Sequence, residues 1–463
     1  MQKDSTDIKR KIKLLFITYT HSNGGGAEKL LTDYVNSLTQ EGFEISICEI
    51  SHFDVKKESI NTTVKVIKPL LFHNKHFIYN FFFGFFNLKM LEKNPKILKS
   101  VFHWTNYDVV ITWNYQRPSF ALMAFQEEGK IAWFHGDIYD LCINNKSSKK
   151  LLEYNRKQLE VWKKADSIIT ISKNSKKSLE EVFPELGYKC EIINNGVDTE
   201  KILCLAAEKN DFIFDKEVKY LCCVGRLDYN KNFILAIKSL KLILQKYKKC
   251  KLIIIGDGDQ RSALEEYVTK NNLKENVIFV GYQKNPYRYM KNCYLLCMTS
   301  FSEGWSLVTA EMMVLGKTFV TTKVAGASDE LALNNTCGLV AEWNELDFAE
   351  KILKLLKDES LYRELCHNSL ENIKKYTISK SVEKISKIIN RVLPSVHNNY
   401  KKNYFQYIIF NTFIPAIQKD WLKKRYTGVK CTLLLIIYSI IYYLCWGITI
   451  PFRFLLSIIY CYY

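Results

Sequence analysis

The sequence predicts an α/β protein with two doubly wound domains, and two observations support this prediction. Short apolar runs alternate with amphipathic segments along most of the 463 residues, which is typical of parallel strands joined by helices. The alternation occurs twice, on either side of a turn-rich stretch at Asn194–Asp198. Two such series predict two Rossmann-like parallel sheets, each covered by helices on both faces.

The first series begins shortly after the charged N-terminus and contains runs short enough to be strands. Its strands are predicted at Lys13–Ile17, Ile45–Ile50, Val109–Trp113, Ile131–Phe134, Ser167–Ile171 and Glu191–Ile193. Between them, amphipathic patterns predict helices such as Glu28–Thr39 and Leu151–Lys164. Together these elements predict a first domain at residues 1–200.

The second series follows a less regular stretch, which is interpreted as a linker at residues 201–217. Its strands are predicted at Tyr220–Val224, Leu252–Ile255, Val277–Val280, Tyr294–Met298, Thr318–Thr321 and Gly338–Ala341. They predict a second domain at 218–375, then a helix at 376–394 that packs back on the first domain, and a basic, apolar tail at 395–463. Ligands are expected at the carboxyl ends of the strands, in a cleft between the domains.

The composition limits the function classes. Apolar residues make up 48% and charged residues 25% of the chain, which excludes a mostly disordered protein. The balance of 66 Lys and Arg against 48 Asp and Glu gives a net charge of +18 and predicts anionic partners. The 14 cysteines lie in apolar strings such as Leu221–Val224, and the charged N-terminus does not resemble a secretory signal. Reduced, buried thiols in a cytosolic compartment are therefore expected.

The C-terminal tail combines positive charge with a long apolar run. Lys401–Tyr463 contains eight Lys or Arg and one Asp, and Cys431–Phe452 is an uncharged run of 22 residues. As a helix, this run is long enough to cross a bilayer, and the basic cluster before it places the protein on the cytoplasmic side of the plasma membrane. A buried core helix is the alternative. Pro451 and Arg453 leave open whether the tail spans the membrane or lies in its interface.

Two segments carry candidate phosphate-binding groups. Gly24, Gly25 and Gly26 follow the first predicted strand and open a helix, where the backbone can approach an anion closely; a plain tight turn explains them equally well. Arg226 and Lys231 follow the first strand of the second series, where two cations can clamp a diphosphate. Taken alone, these two are also compatible with solvated surface charges.

The string Ser302–Glu311 is the most informative. Gly304 is expected to start a helix whose free amides hold phosphate oxygens. Glu303 precedes this helix and Glu311 lies seven residues inside it, which is a rise of roughly 10 Å. The two carboxylates therefore suit opposite ends of a nucleotide-sugar. A carboxylate at a helix start can also be a cap, but Glu311 lies in an apolar helix and needs a partner, which ribose hydroxyls would supply.

Three further features each have two interpretations. His135 ends a predicted strand beside a glycine, so it either faces the cleft or is structural. The pair Asp257 and Asp259 resembles a metal-binding carboxylate motif, but its context favours a turn and helix N-cap, and no metal site is predicted. The aromatic run Phe77–Phe86 is too short to span a bilayer. It is either a packed helix or a membrane-facing lip for a lipid-linked acceptor.

Together the strings resemble family-four glycosyltransferases of the GT-B fold. The resemblance extends from about Lys13 to Leu393, and one departure is Asp259, where the family usually carries Pro. The matching pieces are Gly24–Glu28, Gly225–Leu227 with Lys231, Ile255–Gly258, Val280–Tyr282, and Glu303 with Glu311. The residues from about Ser395 onward lie outside this family core.

The resemblance implies a retaining enzyme that uses a nucleotide-sugar donor and needs no metal or other cofactor. It also implies that the first domain, 1–200, lies on the acceptor side and that the second, 218–375, binds the nucleotide-sugar. It implies that Arg226 and Lys231 bind the donor diphosphate and that Glu311 holds the ribose hydroxyls. Glu303 would contact the donor sugar, assisted by the following backbone amides: Gly304, Trp305, Ser306 and Leu307. The loop of Gly24, Gly25 and Gly26 would close over phosphate and sugar together with His135.

The predicted function is transfer of a hexose, UDP-linked, to a glycan or polyprenyl-linked acceptor in bacterial surface polysaccharide synthesis, at an anionic membrane surface. Nucleic acid is not expected as a partner, because the densest basic cluster adjoins an apolar run. The alternative is a non-catalytic, basic membrane-binding protein built on a nucleotide-binding fold. A dinucleotide-dependent oxidoreductase is disfavoured because Gly256 and Gly258 lack the third glycine of the fingerprint.

Overall fold

The fold is known from a computed structural model, which describes residues 10–21, 25–53, 60–72, 84–136, 149–210, 212–324 and 326–394. The strands are β1 Lys13–Thr18, β2 Glu44–Glu49, β3 Ser51–His52, β4 Lys65–Ile67, β5 Leu71–Phe72, β6 Val109–Thr112, β7 Gly129–Phe134, β8 Ser167–Thr170, β9 Cys190–Ile192, β10 Lys219–Val224, β11 Cys250–Ile255, β12 Val277–Gly281, β13 Leu295–Met298, β14 Thr318–Thr322 and β15 Leu339–Ala341. Helices separate most of these strands, so the chain alternates as the sequence predicts.

The α-helices lie mainly in the connections between consecutive parallel strands. They are α1 Gly26–Gln40, α2 Phe85–Lys93, α3 Pro95–Val101, α4 Arg117–Phe120, α5 Lys149–Lys163, α6 Lys173–Val182, α7 Thr199–Ala207, α8 Phe233–Lys246, α9 Arg261–Lys270, α10 Tyr287–Met290, α11 Leu307–Val314, α12 Glu345–Lys357, α13 Glu359–Ile373 and α14 Ile378–Val392. Two 3₁₀ segments, Ala121–Ala124 and Pro184–Lys189, and a π-helical turn, Ala327–Leu331, complete the described elements.

The strands form two large parallel sheets. The first has the order β4-β2-β1-β6-β7-β8-β9, and the second has the order β12-β11-β10-β13-β14-β15. In the second sheet this is the 3-2-1-4-5-6 order of a doubly wound fold, with registers such as Leu221 opposite Leu252 on one side and Leu295 on the other. The predicted pair of doubly wound sheets is therefore confirmed.

The central strands are apolar on both faces because helices cover both sides of a parallel sheet. In β11, for example, the four residues Leu252 to Ile255 are all buried. Around them the second sheet builds a core with α8, α9 and α12, which includes Ile237, Leu264 and Phe348. Burial of this kind is the main favourable contribution to folding.

All twelve predicted strands are present, and their ends differ from the prediction by one or two residues. Strands β3, β4 and β5 were not predicted. Strands β3 and β5 have only two residues each, and β4 has no buried residue, so none of them shows a buried apolar run. The stretch expected to be irregular after residue 200 contains helix α7. Asp198 caps this helix by accepting a hydrogen bond from the Lys201 amide at 3.0 Å.

The chain forms two compact units. The described residues of 1–133, 156–168 and 388–394 belong to the first unit, and those of 134–136, 149–155 and 169–387 belong to the second.

The domain limits drawn from the sequence, including the linker at 201–217, stay a prediction. The predicted tail at 395–463 and most of the aromatic run Phe77–Phe86 lie outside the described residues. Within the described part, no helix is both long and apolar enough to cross a bilayer.

The described cysteines are free thiols, as expected, and eight of the ten are buried. Several lie in or beside the central strands of the second sheet, where Cys250 is fully enclosed. Desolvation raises the pKa of the Cys250 thiol to about 12. The Cys250 thiol therefore stays protonated at neutral pH and acts as a small apolar core residue.

The second sheet reverses its strand order between β10 and β13, and the loops leaving these strands define the edge where a doubly wound fold binds ligands. Two glycines let the loops after β10 and β11 pass in contact. Gly256 has a φ of +144°, and a Cβ there would lie 1.8 Å from the Gly225 carbonyl oxygen. The Gly225 amide in turn donates to the Ile255 carbonyl at 3.0 Å.

Because backbone occupies the position of a Cβ at Gly256, we predict that Gly256→Ala lowers the free energy of unfolding by at least about 3 kcal/mol. Gly42→Ala is the matched control. Gly42 also has a positive φ, +95°, but nothing lies within 4 Å of its Cβ position, so it should lose only about 1 kcal/mol. Urea denaturation measures both, and equal losses would contradict the contact.

Candidate active site

The loops after β10 and β13 are joined through Asn230. Its carbonyl accepts from the Phe301 amide at 2.9 Å, its side-chain oxygen accepts from the Ser302 amide at 3.2 Å, and its side-chain nitrogen donates to the Ser302 carbonyl at 2.9 Å. Three hydrogen bonds to one asparagine hold the two loops in a single frame. The residues predicted to be catalytic are Arg226, Lys231, Glu303 and His135, and this frame carries the first three of them.

Lys231 and Glu303 lie together in this frame. The Lys231 ammonium is 2.5 Å from a Glu303 carboxylate oxygen, and the Ser300 hydroxyl donates to the same oxygen at 2.7 Å. The Lys231 carbonyl accepts from the Thr299 hydroxyl at 2.8 Å. The two charged side chains are 26% and 16% exposed, so the pair is accessible at the surface but screened less than a fully solvated one.

Arg226 lies on the same loop but points to a different partner. Its guanidinium contacts the Asp228 carboxylate at 2.8 Å, and the Arg226 side chain is 73% exposed. The other Asp228 oxygen accepts from the Lys231 amide at 3.0 Å. Asp228 therefore ties the two predicted phosphate-binding cations to one loop, and each cation already has a carboxylate beside it.

The helix of the Ser302–Glu311 string begins later than predicted. Helix α11 starts at Leu307, with Ser306 as its N-cap, and the Ser306 hydroxyl accepts from the Thr309 amide at 3.3 Å. The prediction that Gly304 opens the helix is wrong, because serine is a strongly preferred N-cap and ends the loop there. Glu303 and Glu311 therefore do not lie on one helix, and the rise per residue of a helix does not set their separation.

Glu311 is the fifth residue of α11 and is buried. Its carboxylate accepts a hydrogen bond of 2.8 Å from the hydroxyl of Tyr287, which is itself buried in α10. From the sequence, ribose hydroxyls were predicted as the partner that a buried Glu311 needs. The protein supplies this partner itself, through Tyr287. The burial of Glu311 therefore does not by itself require a ribose ligand.

Close backbone contacts fix the path of Gly304 and Trp305. A Cβ at Gly304 would lie 2.8 Å from the Gly136 Cα, and the Ser175 hydroxyl donates to the Gly136 carbonyl at 2.7 Å. Gly326, with a φ of +70°, lies against Trp305 in the same way. Within the second unit, the turn after β7 that carries His135 is therefore adjacent to the glycine that follows Glu303.

His135 is partly buried at the end of β7. Removal of its imidazole from water lowers the pKa of His135 to about 3. Its ring is therefore neutral at physiological pH, so it can accept or donate one hydrogen bond but carries no charge.

Since an unfolded histidine titrates near pH 6.5, the unfolded chain binds this proton before the folded one, and stability is lost as the pH falls below that value. We predict that between pH 7 and pH 5 the wild type loses about 1–2 kcal/mol more unfolding free energy than His135→Asn, which cannot titrate. Urea denaturation at both pH values measures this. Parallel losses in the two proteins would show that His135 titrates normally in the folded state.

The predicted glycine loop belongs to the first unit. Gly24 lies outside the described residues, Gly25 is the N-cap of α1 and Gly26 is its first residue. The Cβ position of Gly25 lies 2.3 Å from a carboxylate oxygen of Glu28, which is the end of a flexible side chain and can move aside. As predicted, glycine and a helix N-terminus follow β1 directly.

A buried carboxylate that sequence reasoning missed holds the start of this loop. Glu49, at the end of β2, accepts from the His21 amide at 2.5 Å and contacts the His52 ring at 2.6 Å. The His21 ring lies 2.8 Å from the Thr32 hydroxyl on α1. The sequence did contain a signal for this role: Glu49 is a charged residue at the end of an apolar strand. Such a group is rarely buried without partners, so it indicates a hydrogen-bonded position.

A second missed carboxylate lies in the π-helical turn after β14. Glu330 is buried and accepts from the Lys173 amide at 2.8 Å, at the first residue of α6, and from the Asn194 side chain. Burial raises the pKa of Glu330, and the hydrogen bond from Lys173 opposes the shift. This carboxylate ties together three separated segments of the second unit, a role that no local sequence pattern reveals.

The pair Asp257 and Asp259 forms a turn, as predicted. Asp257 accepts from the Gly258 amide at 2.8 Å and pairs with Arg261 at 2.8 Å, and these contacts lower the pKa of its carboxyl. The N-cap of α9 is Gln260, so the predicted capping role of this pair is wrong. Among the described residues, no cluster of three or more His, Cys, Asp or Glu side chains could hold a metal ion.

Family models match most of the chain in two consecutive blocks. Residues 24–201 match the model described as Glycosyltransferase Family 4, and residues 206–376 match Glycosyl transferases group 1. The chain belongs to the family-four glycosyltransferases. The predicted family membership is therefore confirmed.

Individual relatives support this assignment over part of their length. The chain is 28% identical over 262 residues to an uncharacterized glycosyltransferase of Methanocaldococcus jannaschii, covering 48% of this chain and 63% of that protein. It is 32% identical over 202 residues to the Campylobacter jejuni N-acetylgalactosamine-N,N'-diacetylbacillosaminyl-diphospho-undecaprenol 4-alpha-N-acetylgalactosaminyltransferase, covering 43% of this chain and 53% of that protein. The chain thus spans between about half and two thirds of the length of these relatives.

Solved structures show the same fold. The crystal structure of Anabaena HepE in complex with UDP matches with a TM-score of 0.63 at 16% identity, covering 82% of this chain and all of that one. The parallel sheets and these glycosyltransferase neighbours support the predicted GT-B fold.

For this family-four glycosyltransferase, the structure brings some predicted site residues together and separates others. Arg226, Lys231 and Glu303 share one frame, and Gly304 links it to the turn of His135. Glu311 lies on the following helix with Tyr287. The residues that sequence reasoning missed around this frame are Asn230, Asp228, Ser300, Thr299 and Tyr287. Tyr287, Thr299 and Asn230 act through contacts across 24 to 72 positions of sequence, whereas Asp228 and Ser300 contact residues two or three positions away.

Proposed function

We propose that this glycosyltransferase moves a hexose from a UDP-linked donor to a glycan or polyprenyl-linked acceptor, with retention of anomeric configuration, in bacterial surface polysaccharide synthesis. The contact between Lys231 and Glu303 carries the proposal, because it places a cation and a carboxylate side by side at the ligand-binding edge of the second sheet. The Campylobacter relative, named for a diphospho-undecaprenol substrate, supports the acceptor class. The Anabaena structure with UDP supports the nucleotide.

The donor breaks at the bond between its anomeric carbon and its diphosphate, which leaves as an anion. Catalysis then depends mainly on stabilising that developing charge. Lys231 offers three N–H donors, so it can keep its contact with Glu303 while it binds a phosphate oxygen. Arg226, on the same loop, presents a planar guanidinium suited to a second phosphate oxygen.

Glu303 is proposed to bind the donor sugar through its carboxylate. Its carboxylate is held in one orientation by Lys231 and by the Ser300 hydroxyl. An ionised carboxylate accepts hydrogen bonds from sugar hydroxyls. Since Glu303 is engaged in these contacts, it is a binding group and not the nucleophile of a double displacement. A front-face route follows, in which the departing phosphate oxygen takes the proton of the acceptor hydroxyl.

Glu311 and Tyr287 form the proposed ribose side of the site. One Glu311 oxygen accepts from the Tyr287 hydroxyl at 2.8 Å, and a carboxylate has further lone pairs with which to accept from ribose hydroxyls. Tyr287 thereby orients the carboxylate. The neutral ring of His135, in the second unit, is proposed to face the donor sugar. The role of Gly24, Gly25 and Gly26 toward the donor stays a prediction.

The proposal is tested by UDP release from a panel of UDP-hexoses without added acceptor. Arg226→Ala and Glu311→Gln should each reduce turnover about 100-fold, because each removes a charge that contacts the donor. Arg363→Ala is the matched control. Arg363 is also an exposed arginine paired with a carboxylate, Glu359 at 3.0 Å, but it lies on α13, away from the frame.

In the same assay, EDTA should leave wild-type turnover unchanged, because protein cations are proposed to replace a metal at the diphosphate. Full loss with EDTA and recovery with Mg²⁺ would contradict metal independence. Wild-type rates in both site variants would contradict the donor site. The absence of UDP release from every UDP-hexose would favour the non-catalytic, membrane-binding alternative.

Membrane attachment through the tail is a separate part of the proposal, and it rests on sequence alone. The basic cluster Lys419–Lys430 directly precedes the uncharged run Cys431–Phe452, a combination that favours the cytoplasmic face of an anionic membrane. We predict that deletion of residues 419–463 releases the protein from membranes. Vesicle flotation at two salt concentrations measures this, and a truncated protein that still floats with vesicles would rule out the tail as the anchor.

A further inference from the structure

Two aromatic rings stand exposed on the frame that carries Lys231 and Glu303. Tyr229 is 76% and Phe301 39% exposed, and their ring centroids lie 5.2 Å apart with planes inclined by 32°. Among the described residues, this is the aromatic pair in which both rings are exposed. Large apolar side chains exposed together mark interaction surfaces more often than single ones do. We call this pair the aromatic platform.

The platform is rigidly connected to the proposed donor site. Tyr229 precedes Asn230, whose carbonyl accepts from the Phe301 amide, and Lys231 and Glu303 follow in the same two loops. The half-exposed indole of Trp343 also donates to the Ser300 carbonyl, at 3.3 Å. The hydrogen bonds that position the charged pair therefore position the rings as well, so a ligand meets a preorganised surface.

The charged groups beside the platform are already assigned to the donor. Arg226, paired with Asp228, and Lys231, paired with Glu303, are proposed to bind the diphosphate, and Glu303 the donor sugar. The two rings are therefore the part of the frame left for a second ligand. Flat aromatic faces beside paired polar groups match a sugar ring, which presents an apolar C–H face and hydroxyls around its edge.

We propose that the aromatic platform binds the saccharide acceptor by stacking a sugar ring on Tyr229 and Phe301. This inference rests on the proposed function, since it names the occupant of the surface beside the donor sugar. The shared frame places the acceptor ring next to the carboxylate of Glu303. The platform thereby contributes to the choice of acceptor, whereas Arg226 and Lys231 act on the donor.

The test measures binding of neutral saccharides by saturation-transfer NMR in the presence of saturating UDP. The probes are methyl α-glucopyranoside, methyl N-acetyl-α-galactosaminide and maltotriose. The wild type should bind at least one of them, and a Tyr229→Ala/Phe301→Ala variant should bind it about tenfold more weakly, because stacking on both rings is lost.

Three further variants isolate the ring contribution. Tyr229→Phe and Phe301→Tyr keep both aromatic faces and should retain wild-type affinity. Tyr188→Ala removes a ring that is 83% exposed in the segment Pro184–Lys189, away from the frame, and should have no effect. Equal affinity of the double alanine variant and the wild type would overturn the proposal.

Binding of UDP alone, measured before the saccharides are added, separates this inference from the proposed function. If the wild type binds UDP but none of the saccharides, the platform proposal is wrong and the donor site stands. If UDP does not bind, the proposed function fails first. If the double alanine variant instead loses binding to vesicles of phosphatidylglycerol and keeps saccharide binding, the rings are a membrane contact and the proposal is overturned.

Discussion

The hydrogen-bonded connection between the loops after β10 and β13 is the constraint on which the site depends. These strands are neighbours at the point where the second sheet reverses its order, so their loops leave the sheet side by side. Asn230 converts this proximity into one frame through its contacts with Phe301 and Ser302. Without that frame, Lys231 and Glu303 would be two mobile surface charges, and such pairs contribute little.

The cations of the frame are paired with carboxylates within the frame itself. Lys231 and Arg226 each lie within 2.8 Å of a carboxylate oxygen. The carboxylates keep these loops from accumulating like charge, and a diphosphate in the proposed site would have to bind beside these pairs. The helix that follows contributes its own N-terminal amides, but only from Leu307 onward, because Ser306 caps it.

Backbone packing sets the position of the chain around this frame. Gly256 lies against Gly225, and Gly304 lies against Gly136, at distances that leave no room for a Cβ. Buried carboxylates also fix backbone positions, through hydrogen bonds. Glu330 binds the start of α6, and Glu49 binds the loop before α1. The site thus depends on contacts between backbone segments as much as on the charged side chains.

The sequence by itself determined the two parallel sheets, because strands buried on both faces are apolar runs and the helices between them are amphipathic. It also located Arg226, Lys231, Glu303 and Glu311 near strand ends and helix starts. Only the tertiary structure decided that Lys231 contacts Glu303 and that Tyr287 satisfies Glu311. The reason is physical: strand and helix patterns are local, whereas these contacts arise where distant segments meet, and hydrogen-bond geometry there selects among partners that sequence leaves equivalent.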